Sequence, residues 1–299
     1  MSNYHNPVLL NESVEALIQN KNGIYVDCTF GGGGHSTEIL NRLEEAAKLF
    51  SFDCDTDAKN NILTDKRFQL LPYNFRHLKK ILKLNGVNQV NGILADLGVS
   101  SHQFDIGDRG FSIRFNGPLD MRMNQGATKT AATILNEYSE EKLAEIFKLY
   151  GEIKSAYRLA KTVVKHRQLS KLETTEDLMN IIGEIDANRS AKFSAKVFQA
   201  IRIEVNEELE VIKEMLMQAA QIVKTGGRIV IISYHSLEDR LVKNFIRYGQ
   251  FIGEPERDVF GRYTVPFKAI NKKIITPSQE EIKINNRARS AKMRIAEKI

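Results

Sequence analysis

Between residues 24 and 96 the chain alternates short apolar runs with segments of helical periodicity, and this rhythm constrains the fold more than any other feature. Ile24–Cys28, Leu49–Asp53, Phe68–Leu71 and Val90–Asp96 read as strands. Residues 36–47, 56–63 and 75–83 read as the helices between them, and residues 8–20 as a leading helix. Strands this apolar, without a polar face, imply a parallel sheet covered on both sides. Right-handed crossovers then give an α/β, doubly wound, mostly parallel sheet.

The rhythm stops after residue 97. Residues 98–127 are punctuated by glycines and Pro118 and read as loop, and residues 128–200 read as helical. An amphipathic helix is expected over 203–224, with Val205, Leu209, Ile212, Leu216, Ala220 and Val223 on one side. Another central strand follows at Arg228–Ser233, and Ser236 with Asp239 has the pattern of a capping box for a helix over Leu237–Ile246. The expected organisation is a discontinuous sheet domain, residues 1–105 and 203–299, interrupted by an inserted loop and small all-helical domain, residues 106–202. A chain of 299 residues is long enough for both.

Composition excludes several classes. No run of 18 apolar residues exists, so no spanning helix and no membrane partner are expected. Cys28 and Cys54 form no CxxC pair and have no histidine at zinc-ligand spacing, so no metal site is expected and a reduced, cytoplasmic setting follows. Charge is unevenly spread: Lys268–Ile299 holds nine basic and three acidic residues, which equals the formal +6 of the whole chain. A basic segment on a neutral body suits an anionic partner such as nucleic acid, but charge alone favours the plainer reading of a solubilising tail.

Chemistry is concentrated where the strands end. Asp27-Cys28-Thr29-Phe30 leads into Gly31–Gly34, at the carboxyl edge where doubly wound sheets bind ligands. Four glycines lose much backbone entropy on folding, so close approach of a ligand explains them better than an ordinary turn. The segment ends Gly34-His35-Ser36, without the lysine of a phosphate-binding loop, and Ser36 stands where a dinucleotide fingerprint beginning at Gly31 needs glycine. Asp27 would oppose a pyrophosphate and suit a cationic ligand end. Asp53, after the second strand, can accept hydrogen bonds from both ribose hydroxyls of an adenosine cofactor. The combination fits S-adenosylmethionine, which has ribose, adenine, ammonium and sulfonium but no phosphate. Asp96, closing the fourth strand beside the first, is placed to border both cofactor and acceptor.

The sequence resembles the bacterial 16S ribosomal RNA cytosine-N4 methyltransferases (the RsmH/MraW type) nearly end to end. The stretches that carry the likeness begin with His5-x-Pro7-Val8-Leu9-Leu10-x-Glu12 and Asp27-x-Thr29-Phe30-Gly31-x-Gly33-Gly34-His35-Ser36. They continue with Gly92–Leu94, Asp96–Ser101, Gln103, Arg109-Gly110-Phe111-Ser112 and Gly117-Pro118-Leu119-Asp120-Met121-Arg122-Met123. Arg202-Ile203-x-Val205-Asn206-x-Glu208-Leu209, Ser233-x-His235-Ser236-Leu237-Glu238-Asp239-Arg240 and Arg289-Ser290-Ala291-Lys292-x-Arg294 complete them. Three departures, Ile113 and Tyr234 where the family usually has Phe and Ile201 where Leu is common, read as exchanges of local packing only.

The resemblance implies the class I S-adenosylmethionine-dependent methyltransferase fold, with cofactor contacts at Gly33, Gly34, His35, Asp53, Phe75, Asp96 and Gln103. It implies methylation of one cytidine in the decoding region of 16S rRNA, with the small ribosomal subunit as partner and a homodimer as a compatible assembly. The exocyclic amine is a weak nucleophile, so catalysis is expected to rest on positioning. Asp96 with Ser100 and Ser101 are the candidates for that task, and His235 is a candidate facing the acceptor.

For RNA, Arg109, Phe111, Arg114 and Arg122 interleave cations and rings in a loop that either stacks on RNA or packs internally. Lys154, Arg158, Lys161 and Lys165, at spacings of 4, 3 and 4, form one basic stripe. Arg289 and Arg294 are further candidates, either for RNA or for neutralising neighbouring acids. Competing functions are methylation of a small-molecule or protein amine, which a closed neutral pocket would favour, and a non-catalytic RNA-binding or assembly factor, which failure to bind S-adenosylmethionine would favour.

Overall fold

In the computed structural model, which describes residues 7–299 apart from 189, 254, 256, 258, 259, 262, 272 and the side chain of Ser101, the chain divides into two units. One is Met1–Gly98 with Leu209–Ile299, the other Val99–Glu208; the sequence reading set the boundaries after residues 105 and 202.

The first unit is built on strands β1 (Ile24–Asp27), β2 (Lys48–Phe52), β3 (Phe68–Leu71), β4 (Val90–Asp96), β5 (Val223–Ser233), β6 (Phe267–Ala269) and β7 (Lys292–Lys298). Among the described residues these form one seven-stranded sheet in the order β3-β2-β1-β4-β5-β7-β6. The pairs from β3 to β5 are parallel, while β7 runs antiparallel to both β5 and β6. The doubly wound, mostly parallel sheet is therefore present.

Helices α1 (Leu10–Leu17), α2 (Gly34–Arg42) and α3 (Leu78–Leu84) lie between or before the early strands. The segment 56–61, expected as part of a helix, is a 3-10 turn, and Phe75–His77 is another that leads into α3. Strand side chains alternate between two cores. Val26, Ile93, Ile229 and Ile231 join α3 residues Leu78, Ile81 and Leu82 in one. Tyr25, Leu94, Val230 and Ile232 join Val14, Leu17, Ile39 and Leu40 of α1 and α2 in the other. Period-two alternation with both sets buried is what a sheet covered on both faces demands.

In the second unit, α4 (Ser101–Asp105) precedes an irregular stretch, followed by α5 (Ala131–Glu137), α6 (Glu140–Leu149), α7 (Ala156–Leu169), α8 (Thr175–Ile185) and α9 (Ala191–Asn206). Leu143, Phe147, Leu159, Val163, Ile181 and Ile201 form its own core. The helix expected over 203–224 is two helices: α9 ends at Asn206, Glu207 takes a left-handed φ of 52°, and α10 runs Glu208–Ile222. Two side chains hold the break. Arg202 grips Glu208 at 2.8 and 3.0 Å, and Asn206 bonds the backbone of Met121 and Met123 at 2.7 Å each.

Past β5, α11 (Ser236–Tyr248) packs Val242, Phe245 and Ile246 into the sheet's core, and α12 (Gln279–Ile284) precedes β7. Its cap differs from expectation. His235 is the N-cap and Glu238 reaches back to the His235 amide, whereas Asp239 is turned to Arg294. Among the described residues no helix is long and apolar enough to cross a membrane.

Candidate active site

The tips of β1, β2 and β4 meet at the carboxyl edge of the sheet, and the loop after β1 ties them together. The Gly31 amide donates to Asp53 Oδ2 at 2.8 Å, joining the loop to the end of β2. Thr29 Oγ1 accepts from the Asp96 amide at 2.8 Å, joining it to the end of β4. Asp53 and Asp96 therefore flank one loop.

Asp27 has a different part from the one expected. It is fully buried and accepts from the Thr29 amide at 3.0 Å and from Ser36 Oγ at 2.7 Å, while Ser36 and Ser51 hydroxyls lie 2.8 Å apart. The carboxylate shapes the loop from below and is closed off from solvent.

The glycines are partly committed too. Gly31 and Gly33 have φ of +50° and +78°, a region that side-chain-bearing residues rarely enter. Gly33 donates to the Phe30 carbonyl at 2.7 Å and caps α2. With the Gly31 and Gly33 amides used, donation outward falls to Gly32, which is exposed, and to the first-turn amides of α2, which have no intrahelical acceptor. A Cβ on Gly31 would meet no atom within 4 Å, so that side of the loop is open. A Cβ on Gly34 would come within 2.2 Å of Pro7 Cγ, so this glycine serves the packing of the N-terminal segment.

Both flanking acids hold their protons unusually well. Burial pushes Asp53 up to about 6, against the pull of its bonds from the Asp55 and Gly31 amides. Burial likewise raises Asp96 to about 6, opposed by His35 and by a hydrogen bond from Tyr234. Desolvation thus dominates at each. Perturbed carboxyls gathered at a strand edge mark a functional-site candidate. His35 is buried, with Nε2 donating to the Val8 carbonyl at 3.1 Å; its Nδ1 lies 3.9 Å from Asp96 Oδ2. Phe75 is half-buried in the turn after β3, packed against the core.

His235 is held by its cap: Nδ1 accepts from the Glu238 amide at 3.3 Å. An acceptor Nδ1 leaves the proton of the neutral ring on Nε2. Tyr234, passed over in the sequence as a packing exchange, donates its hydroxyl to Asp96 Oδ1 at 2.8 Å. A phenol in place of an apolar ring at a strand tip was the available signal.

The remaining candidates belong to the second unit. Ser100 Oγ accepts from the Gln103 amide at 3.2 Å and the Gln103 side chain accepts from the Ser100 amide at 3.1 Å, a reciprocal cap for α4. Gln103 is buried. Ser101's side chain lies outside the described residues, as does His5.

Several RNA-contact expectations are corrected. Arg109 and Phe111 are buried, and Arg109 reaches the carbonyls of Arg122 and Met123 at 3.0 and 3.4 Å. Arg122 is bound by both oxygens of Asp120 and by the carbonyls of Gln125 and Ala127. These side chains hold their own loop. Arg114 is exposed, with Phe115 beside it. Lys154, Arg158, Lys161 and Lys165 are all exposed, although Lys154 precedes α7. Arg289 is exposed, whereas Arg294 makes a two-point ion pair with buried Asp239 at 2.7 and 3.1 Å and is spent on the sheet.

Comparison with known proteins gives one answer. A family profile described as the MraW methylase family matches residues 2–299. The chain is 55% identical to ribosomal RNA small subunit methyltransferase H of Flavobacterium johnsoniae, over 99% of this chain and 98% of that protein. It is 54% identical to the proteins of that name in Christiangramia forsetii, over 99% and 98%, and in Phocaeicola vulgatus, over 99% and 97%.

Proposed function

The chain belongs to the MraW methylase family, and on that premise we propose that it transfers a methyl group to the exocyclic N4 of one cytidine in the decoding region of 16S ribosomal RNA. It is an S-adenosylmethionine-dependent ribosomal RNA methyltransferase of the class I fold. The observation that carries the reading is the glycine loop open at Gly31 and Gly32, with Asp53 bonded to it on one side and Asp96 on the other.

The residues fit the cofactor's chemistry. The loop has no lysine for a phosphate, and the ligand has none. Asp53 has lone pairs beyond those used by two amides and can accept from ribose hydroxyls. Gly33, Gly34 and His35 offer the start of a helix and a short backbone approach, and Phe75 offers an apolar face to adenine. Gln103 is the further contact we assign. Bound there, S-adenosylmethionine supplies an electrophilic methyl group.

Asp96 orients the amine of the acceptor and takes up its proton. A carboxyl near 6 is still mostly ionised at neutral pH, yet basic enough to receive a proton from a cationic nitrogen. Ser100 and Ser101, and His235 at the N-cap of α11, are the further residues we assign to positioning the acceptor. For RNA, the exposed cations Arg114, Lys154, Arg158, Lys161, Lys165 and Arg289 are the contacts we retain.

The deciding experiment supplies labelled S-adenosylmethionine with free 16S RNA and with assembled small subunits, then maps the modified nucleotide. Label on cytidine N4 is expected. Label on another atom sinks the N4 assignment, and label on neither RNA substrate sinks the function.

A further inference from the structure

Asp96 has a partner that the catalytic reading did not require. Tyr234 directly follows β5, and its hydroxyl donates to Asp96 Oδ1 at 2.8 Å. The residue is anchored through its backbone. Its backbone amide donates to Glu238 Oε2 at 2.8 Å, inside the cap of α11. A Cβ built on Gly98 would lie 3.5 Å from Tyr234 Cδ2, so the ring sits near that glycine. Burial and the Asp96 charge push the phenol well above its usual range, so the hydroxyl keeps its proton as a donor.

We propose that Tyr234 is a positioning residue for methyl transfer: its hydrogen bond to Oδ1 holds Asp96 as the carboxylate that receives the acceptor's proton. This rests on Asp96 acting as proposed above. As N4 bonds to the methyl carbon, the carbon–sulfur electron pair leaves on sulfur and N4 becomes cationic. One N4 proton then passes to Asp96, which becomes the neutral acid. A donor that bonds the ionised form more strongly keeps more of the protein ready at a given pH.

Other groups act on the same carboxyl. His35 from α2 approaches Oδ2 at 3.9 Å and favours ionisation, while Asp27 on β1 and Glu281 on α12 oppose it. Glu238 faces Tyr234. None of these bonds Oδ1 in place of the phenol, so removal of one hydroxyl isolates its effect.

The test is Tyr234→Phe, read by carbon NMR titration of the Asp96 carboxyl in the free protein and by single-turnover methylation against pH. The sign follows from the bond: losing a donor to the ionised form raises the Asp96 midpoint. An upward move of about one pH unit is expected, with the acid limb of the rate following it. Activity should fall several-fold near about pH 6 and return to the parent level above about pH 8. An unmoved Asp96 titration, or a loss equal at every pH, overturns the proposal. If the parent protein methylates no small-subunit RNA, both this proposal and the proposed function fall; if the parent is active and only the profile stays still, this proposal alone falls.

Discussion

Two loops looked alike as functional loops in the sequence, and the structure makes them opposites. Gly31–Gly34 has no side chains to spend, so its shape comes from buried Asp27 beneath it and from two of its own amides. Its outer surface stays open. Arg109–Met123 is rich in cations and rings, and it turns several of them inward: Arg109 to backbone carbonyls, Arg122 to Asp120, Phe111 to the core of its unit. The lesson is that a loop of bare backbone can be rigid and still available, whereas a loop of chemically rich side chains can consume them in making itself.

The sharpest break of that comparison lies at Asp96, beside the open loop. Asp96→Asn keeps the shape but cannot take up a proton, and single-turnover methylation should fall about 100-fold or more. Methylation at the parent rate would remove Asp96 from the chemistry. Next in size is Arg109→Ala. It strands the carbonyls of Arg122 and Met123 and should cost about 2–4 kcal/mol of stability in a chemical denaturation curve. Unchanged stability together with weakened RNA binding would reverse the assignment of this side chain.

The smallest effect is expected where cations remain exposed. Replacing Lys154, Arg158, Lys161 and Lys165 by glutamine should leave the melting curve in place and flatten the salt dependence of RNA binding. The slope should fall by about 0.7 for each phosphate no longer neutralised. A slope equal to the parent's would assign the stripe to solvent alone.

The first four strands were legible because each is short, apolar and followed by a helical period or a turn. The glycine loop was legible because only a backbone requirement explains four glycines together. Three things were not. The helix break at Glu207 leaves no apolar gap, since it depends on Arg202, Asn206 and Glu208 meeting in space. Strand β7 carries alternating charges that read as a basic tail, yet Met293, Ile295 and Ala296 are buried and Arg294 is neutralised by Asp239. The Tyr234 hydroxyl was invisible as chemistry because its partner lies 138 residues away. Long-range pairing decided the last two, and at the helix break a local Arg202–Glu208 pair acts together with the distant bonds of Asn206 to Met121 and Met123.

The order of the sheet also has a consequence for how the protein is made. β4 ends at Asp96, and its parallel neighbour β5 does not begin until Val223. At ribosomal synthesis speeds of roughly 5–20 residues per second, the edge of β4 stays unpaired for something on the order of ten seconds while the helical unit is translated. During that interval the nascent chain exposes an apolar strand with open amides and carbonyls, which is a template for mispairing. Anything that shields the β4 edge until β5 is made would protect the nascent chain from that mispairing.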